Sequence, residues 1–323
     1  MNLWLPAASA GGVDTDRLLW ALLLMSLAVL ALVFGLLFRY IVKYRASSTL
    51  DRGAVAEKTW TFETAWTAAT LLVFFGLFVW GADLYLRLSL PPRGALKIYV
   101  IAKQWMWKVE HAGGQREINT LHLPTGRPVE LVMTSEDVIH DFSVPAFRVK
   151  HDVLPDRYET LWFTVTRPGT YHLFCTQFCG LDHSKMVGEI VALPPAQFGG
   201  WLERNGGAGT LAAAGRVLYM RYGCSGCHGG EGAGGNQSGS TVRAPPLAGL
   251  YGNPVPLSNG SVIIADDLYI HDSIVEPDKQ IVAGYAAIMP SFAGQLNEEQ
   301  ILQLVDYIKS LGAGKSLAPD TTP

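Results

Sequence analysis

The sequence has little charge and few cysteines. Only 16% of its 323 residues are Asp, Glu, Lys or Arg, while 49% are hydrophobic. A chain this poor in charge is expected to place part of itself in a membrane. Its length allows two or three domains. A formal net charge of −3 excludes the basic footprint of a nucleic-acid binder. There are four cysteines, and each belongs to one of two short motifs, so none is left for a structural disulfide or an N-terminal lipid. The basic region that precedes the apolar core of a secretory signal is missing too. Asp14 and Asp16 stand there instead. Pro6, Ala7, Ala8, Ser9 and Ala10 imitate a cleavage site ahead of the apolar run rather than after it, and leave removal of a short N-terminal piece open.

What is present divides into three parts. Residues 18–38 and 64–82 carry no charge, and each run approaches the about 20 residues that cross a bilayer as a helix. Trp20, Tyr40, Trp66 and Trp80 lie towards their ends, where interfacial aromatics belong. The pattern predicts a transmembrane hairpin over residues 1–90, with helices at about 18–40 and 64–86. Between them Arg39, Lys43, Arg45, Arg52 and Lys58 outnumber Asp51 and Glu57. The positive-inside rule puts that loop in the cytoplasm and both termini outside. Glu63 falls at the start of the second helix, where an acid complements the helix dipole.

From residue 91 the pattern changes. Residues 97–110, 128–133 and 159–165 are rich in β-branched and aromatic side chains, with turn signals between them. Arg167, Pro168, Gly169 and Thr170 form a turn before a further strand that delivers Cys175. Short strands at this spacing predict an all-β sandwich or barrel over residues 91–200. Cys175, Cys179, His183 and Met186 follow one another within twelve residues. Two thiolates, an imidazole and a thioether form a soft ligand set suited to copper. One thiolate would serve a mononuclear site; two can bridge a copper pair, which needs a second imidazole, and His140 is a candidate. A disulfide or half a zinc site would use the thiols but has no need of Met186.

Residues 194–210 have the composition of a linker, assigned to 201–210. A helix is then expected over residues 211–222, leading into Cys224, Ser225, Gly226, Cys227 and His228. C-x-x-C-H is the attachment signature of c-type haem: two thiols add to the two vinyl groups and the imidazole ligates the iron. Met289 before Pro290 is the candidate sixth ligand, since Met with His raises the reduction potential. Met220 is expected to pack. Asn297 and Gln300 predict the capped start of a last helix, with Ile301, Leu304, Val305, Ile308 and Leu311 on its apolar face. This all-α module covers residues 211–312, and residues 313–323 are expected to be a disordered tail. Asp266, Asp267, Asp272, Glu276 and Asp278 read either as a solvated face or as a steering surface for a basic donor.

The segment from Cys175 to Met186 resembles the binuclear copper (CuA) loop of cytochrome c oxidase subunit II, with Gln177 where most members carry Glu. The resemblance covers nearly the whole chain and implies a cupredoxin Greek-key barrel followed by a class I cytochrome c. It implies copper ligands His140, Cys175, the Gln177 carbonyl, Cys179, His183 and Met186. The family's magnesium, held by the Glu carboxylate, is put in doubt by Gln177. Gln104, Trp105, Met106 and Trp107 resemble a family motif in which the residue matching Trp105 is where electrons enter. Glu63 resembles the entrance of a proton channel. Lys150, Asp152 and Arg157 resemble a loop that touches subunit I. Met289 and Pro290 resemble the axial-ligand loop of cytochromes c, and Arg243 to Leu247 its proline loop. The resemblance implies a subunit of a proton-pumping oxidase in a bacterial inner membrane, with subunits I and III as partners. A cytochrome c or a bc1-type complex would be the donor. Oxygen would be reduced in subunit I, and no oxygen-reducing site is expected in this chain. A CuA-bearing subunit of a nitric oxide reductase, or a membrane-tethered electron shuttle, would share this architecture.

Overall fold

In the computed structural model of the protein the described residues are 7–49, 59–206, 210–234 and 244–312. Two long helices come first, α1 (Ala10–Lys43) and α2 (Trp60–Ser89). Their apolar side chains, Leu24, Phe34, Phe62 and Phe75 among them, are exposed as a lipid-facing surface would be. At 34 residues, α1 starts well before the expected residue 18. It is about 50 Å long, against a hydrocarbon core of about 30 Å. The extra turns belong to the soluble domain. The Ser9 side chain caps the helix by accepting from the Gly12 N–H, and its hydroxyl donates to the Phe147 carbonyl at 2.7 Å. Ala8 is buried, bonded to Ala146 and Thr166 through its backbone. Asp16 forms an ion pair with Arg148. The expected start missed this because Asp14, Asp16 and Arg17 end the apolar run, whereas the helix itself continues on polar contacts. The basic loop residues Arg52 and Lys58 lie outside the described residues.

Ten strands follow: β1 (Leu96–Lys103), β2 (Met106–His111), β3 (Arg116–Ile118), β4 (Thr120–Pro124), β5 (Pro128–Ser135), β6 (His140–Val144), β7 (Val149–Val153), β8 (Glu159–Thr164), β9 (Gly169–Cys175) and β10 (Val187–Leu193). They form two five-stranded sheets, in the orders β3-β2-β1-β5-β8 and β4-β10-β9-β6-β7. The pairs β1–β5 and β4–β10 are parallel, and the other pairs are antiparallel. This is a cupredoxin-like domain. Ile98, Val100, Ala102, Trp107, Leu121, Leu131, Met133, Phe142 and Phe147 fill the space between the sheets. Burying an aromatic or aliphatic side chain of this kind contributes about 1.5–3 kcal/mol. Strand β1 is buried on both faces. Ile98 and Val100 point into the core, while Tyr99 and Ile101 join Val132, Leu211 and Leu302 in a second cluster.

The stretch expected as a linker contains a helix, α3 (Pro195–Arg204). Its Gly and Pro content conceals two anchors. Phe198 is buried, and Trp201 stacks on His122 with ring centroids 4.5 Å apart. Glu117 accepts from both His111 and His122 beneath this helix.

The C-terminal region is helical, as expected: α4 (Leu211–Arg221), α5 (Cys224–His228), α6 (Asp267–Val275) and α7 (Glu298–Ser310), with a two-stranded ribbon of β11 (Pro254–Pro256) and β12 (Val262–Ile264). Asn297 and Gln300 complete the capping box that starts α7. Ile301, Leu304, Val305 and Ile308 of α7 pack with Leu218 and Tyr219 of α4. The helices cross at Gly215, where an added Cβ would lie 1.9 Å from the Gln303 carbonyl oxygen. Met220, expected to pack, is exposed. The tail from residue 313 and Arg243 lie outside the described residues.

Candidate metal centre and haem pocket

The metal loop connects β9 to β10 at one end of the sandwich, and β6 starts beside it. His140 and Cys175, 35 positions apart in sequence, are thereby brought together, because β6 pairs with β9 through Phe142 and Cys175. The two thiol sulfurs are 3.8 Å apart. His140 Nδ1 is 4.0 Å from Cys175 Sγ and 3.1 Å from Met186 Sδ. Cys179 Sγ is 3.4 Å from His183 Nδ1 and 3.8 Å from Met186 Sδ. The Gln177 carbonyl oxygen is 3.2 Å from Cys175 Sγ. All six expected donors thus converge at one point. His140, Cys175, Cys179 and Met186 are buried, and the Gln177 side chain is exposed. His140, Cys175 and Cys179 form a cluster able to hold a metal ion. Two sulfurs at this separation, flanked by an imidazole on each side, fit soft copper chemistry.

Asp137 and Gly180 were not singled out from the sequence, nor were the bonds that Gln104 and Trp105 make to the loop. Asp137 accepts from His140 Nε2 at 2.8 Å, which leaves Nδ1 as the ligand atom. Burial works against the Asp137 carboxylate, but the Gln104 N–H and His140 hold its pKa below the ordinary value. The Gln104 side-chain amide and the Trp105 indole both donate to the Cys179 carbonyl, at 2.7 and 3.1 Å. Gly180 has φ +114, and a Cβ there would meet Gln104 at 2.9 Å. Burial disfavours both thiolates. At Cys175, His140 and backbone donors overcome it and bring the thiol down to about 7. At Cys179, burial and the neighbouring sulfur push the thiol up to about 12. A bound cation would favour both thiolates. Lys150 pairs with the buried Asp141 at 3.2 Å, next to His140, and Thr176 donates to the same carboxylate. Asp152 lies opposite Asp141 across the β6–β7 pair, and Arg157 pairs with Glu159. Glu63 sits in the first turn of α2, where the Thr59 hydroxyl donates to it.

The second site is a cavity of about 360 Å³ lined by Cys224, Cys227, His228, Met289 and apolar side chains, Leu250, Ile274 and Leu304 among them. The His228 ring shares a hydrogen with the Pro245 carbonyl at 2.9 Å. A carbonyl only accepts, so Nδ1 carries the proton and Nε2 is the free ligand atom. Burial, only partly offset by that carbonyl, lowers the His228 pKa and keeps the imidazole neutral. This lining suits a c-type haem: Cys224 and Cys227 would form its thioether links, and His228 and Met289 would be the candidates to ligate its iron. Of the acidic run, Asp267 and Asp272 are buried and ion-paired, Asp266 caps α6, and Glu276 is paired with Lys279. The run therefore builds the fold more than it forms a steering surface.

The cytochrome c oxidase subunit II periplasmic domain matches residues 114–192, and the cytochrome c family matches residues 212–312. The haem–copper oxidase subunit 2 of Aeropyrum pernix is 30% identical over 208 residues, which are 58% of this chain and 89% of the relative. The chain belongs to the subunit II family of haem–copper oxidases. The cytochrome c oxidase subunit 2 of Alkalihalophilus pseudofirmus is 25% identical over 312 residues, 92% of this chain and 86% of that one. Among solved structures, the periplasmic domain of subunit II of a Bradyrhizobium japonicum cytochrome oxidase is 28% identical and covers 36% of this chain and 96% of that one, with a TM-score of 0.35. Membership implies a place in a haem–copper oxidase complex, and the appended cytochrome c domain distinguishes this chain's architecture from a bare copper subunit.

Proposed function

We propose that this chain is subunit II of a proton-pumping cytochrome c oxidase and carries electrons from an outside donor to subunit I. The observation that carries this reading is the convergence of two thiols, a thioether, two imidazoles and a carbonyl at one end of the cupredoxin-like domain, in a chain that also holds the C-x-x-C-H cavity. Cys224 and Cys227 would bind haem covalently, with His228 and Met289 on its iron. His140, Cys175, the Gln177 carbonyl, Cys179, His183 and Met186 would hold a copper pair. When bound, these groups supply one-electron redox chemistry, and oxygen activation falls to the partner subunit. The chain's own part is rigidity. The β-sandwich fixes His140 and both thiols, and the Gln104 and Trp105 donors pin the Cys179 carbonyl. A site that moves little between redox states has a low reorganisation cost.

The same reading assigns Trp105 as a point of electron entrance, Glu63 as the mouth of a proton path, and Lys150, Asp152 and Arg157 as a face towards subunit I. It divides the chain into a hairpin (1–90), a copper domain (91–200) and a cytochrome domain (211–312). Both soluble domains and the start of α1 would lie outside the inner membrane. The contacts of Ala8, Ser9 and Asp16 with the copper domain support that arrangement, since they hold the outer end of α1 against it. Subunit III and the donor are assigned by family analogy alone.

The test is turnover of the purified membrane complex from one reduced cytochrome c, with oxygen and, separately and anaerobically, with nitric oxide. Oxygen uptake with build-up of membrane potential is expected. Nitric oxide uptake alone would move the complex to the reductase class. Uptake of neither gas, with haem and copper reduced, would make the chain an electron shuttle.

A further inference from the structure

The cytochrome domain does not hang from a tether. It lies on the outer face of β1 and β5, and the contact has an apolar part and an ionic part. Tyr99, Ile101 and Val132 of the sandwich meet Leu211 and Leu302. Apolar burial is non-directional and would tolerate a range of rotations. The ionic part is directional. Asp267, at the start of α6, accepts from Lys97 of β1 at 3.2 Å and from Lys309 of α7 at 2.8 Å. Tyr251 donates to the same carboxylate at 2.9 Å, and Lys309 also donates to the Tyr99 hydroxyl at 3.0 Å. The Asp267 side chain is only 12% exposed. To one side Arg116 of β3 bridges Glu110 of β2 and Glu299 of α7. Elsewhere in the contact the Tyr158 ring lies edge-on to His271, with centroids 5.1 Å apart.

A buried ion cluster is a poor source of net stability, because desolvation offsets most of its attraction. Its best-attested use is to fix register, since any other alignment strands a charge. We propose that Asp267, held between Lys97 and Lys309, is a positioning residue that locks the cytochrome domain in one orientation on the copper domain. The separation of the C-x-x-C-H cavity from the metal loop is then fixed by the interface and not by the connecting chain after α3. This rests on the reading of the two sites as haem and copper centres. Without the lock, the apolar contact, the Arg116–Glu299 pair at its side and the Lys309–Tyr99 bond remain, and they would let the domain sample a wider range of orientations, as inter-domain contacts do by default.

The test uses the loaded full-length chain and compares wild type with Lys97→Met and Lys97→Arg. Lys97 belongs to neither site, and the Lys309–Asp267 pair stays intact in both variants. Two readouts are taken. The first is electron transfer from flash-reduced haem to oxidised copper. The second is amide hydrogen exchange over residues 97–103 and 298–310. Wild type is expected to give a single phase. Lys97→Met is expected to slow it about tenfold or split it into several phases. Haem and copper spectra should stay unchanged, and amide protection should fall on both sides of the contact. Lys97→Arg should restore most of both. A single, unslowed phase with full protection in Lys97→Met would overturn the proposal. If the chain bound no haem or copper, the functional reading would fail, and the exchange data alone would decide the positioning role.

Discussion

The two sites are built in opposite ways. At the metal loop every donor already lies within about 4 Å of its neighbours, with His140, Cys175, Cys179 and Met186 buried and the cage braced by Asp137, Gln104 and Trp105. At the haem pocket the protein supplies a cavity of about 360 Å³ whose lining is mostly apolar. A metal ion is small enough for a β-scaffold to prepare its cage in advance. A haem is large, and it serves as part of the core of the domain that holds it. The first site should therefore survive loss of its guest, and the second should not.

The largest expected effects break the comparison at its centre. Cys175→Ser or Cys179→Ser should abolish the copper pair, seen as loss of its mixed-valence resonance, while leaving covalent haem and the melting of both domains nearly unchanged. Replacing Cys224 and Cys227 together with Ala should do the reverse. Copper should be retained, but the cytochrome domain should lose its cooperative melting, because an empty apolar cavity costs about 24 cal/mol per Å³. Equal destabilisation from both replacements would undo the contrast.

Smaller changes sharpen it. Asp137→Asn removes the carboxylate that orients His140, and copper affinity should fall about 10–100-fold by competition titration, with haem content intact. Gly180→Ala forces a side chain into a left-handed position against Gln104 and should cost the copper domain about 1–3 kcal/mol in denaturant melts. The last change concerns the contact between the domains, and its effect depends on pH. Burial, and then the neighbouring Glu299 carboxylate, push Glu110 up to about 8, against the pull of Arg116. The unfolded side chain ionises near about 4.3. Between these values the folded state binds more protons, so this group's contribution to stability falls as pH rises. Glu110→Gln should therefore melt progressively higher than wild type as pH is raised from about 5 to about 8, and the difference should level off above that. A difference that is flat with pH would remove the buried carboxylate from the account.

The fold and the donor atoms were legible where the signal is local. Cys175 to Met186 and Cys224 to His228 are short motifs whose spacing follows from the chemistry of one metal or one haem. The final helix was announced by Asn297 and Gln300 for the same reason. What escaped depends on distant partners. Gln104 meets the Cys179 carbonyl across 75 positions, and no periodicity reports such a bond. Strand β1 reads as a core strand, yet Tyr99 and Ile101 face another domain. Asp267 looked like part of a solvated acidic run because its two lysines come from β1 and α7. Pro194, Gly199 and Gly200 made α3 resemble a linker, and only Trp201 on His122 shows why it folds. The early start of α1 likewise depends on Phe147 and Arg148, far along the chain.

The most direct test of the central claim is anaerobic rapid reduction of the loaded full-length chain, followed at once by haem absorbance and copper resonance. The account predicts a mixed-valence copper pair and a low-spin haem on the same chain, with haem reduced first and the copper signal lost as the haem partly reoxidises. A single-copper resonance, or copper reduced at a rate that ignores removal of the haem, would contradict it.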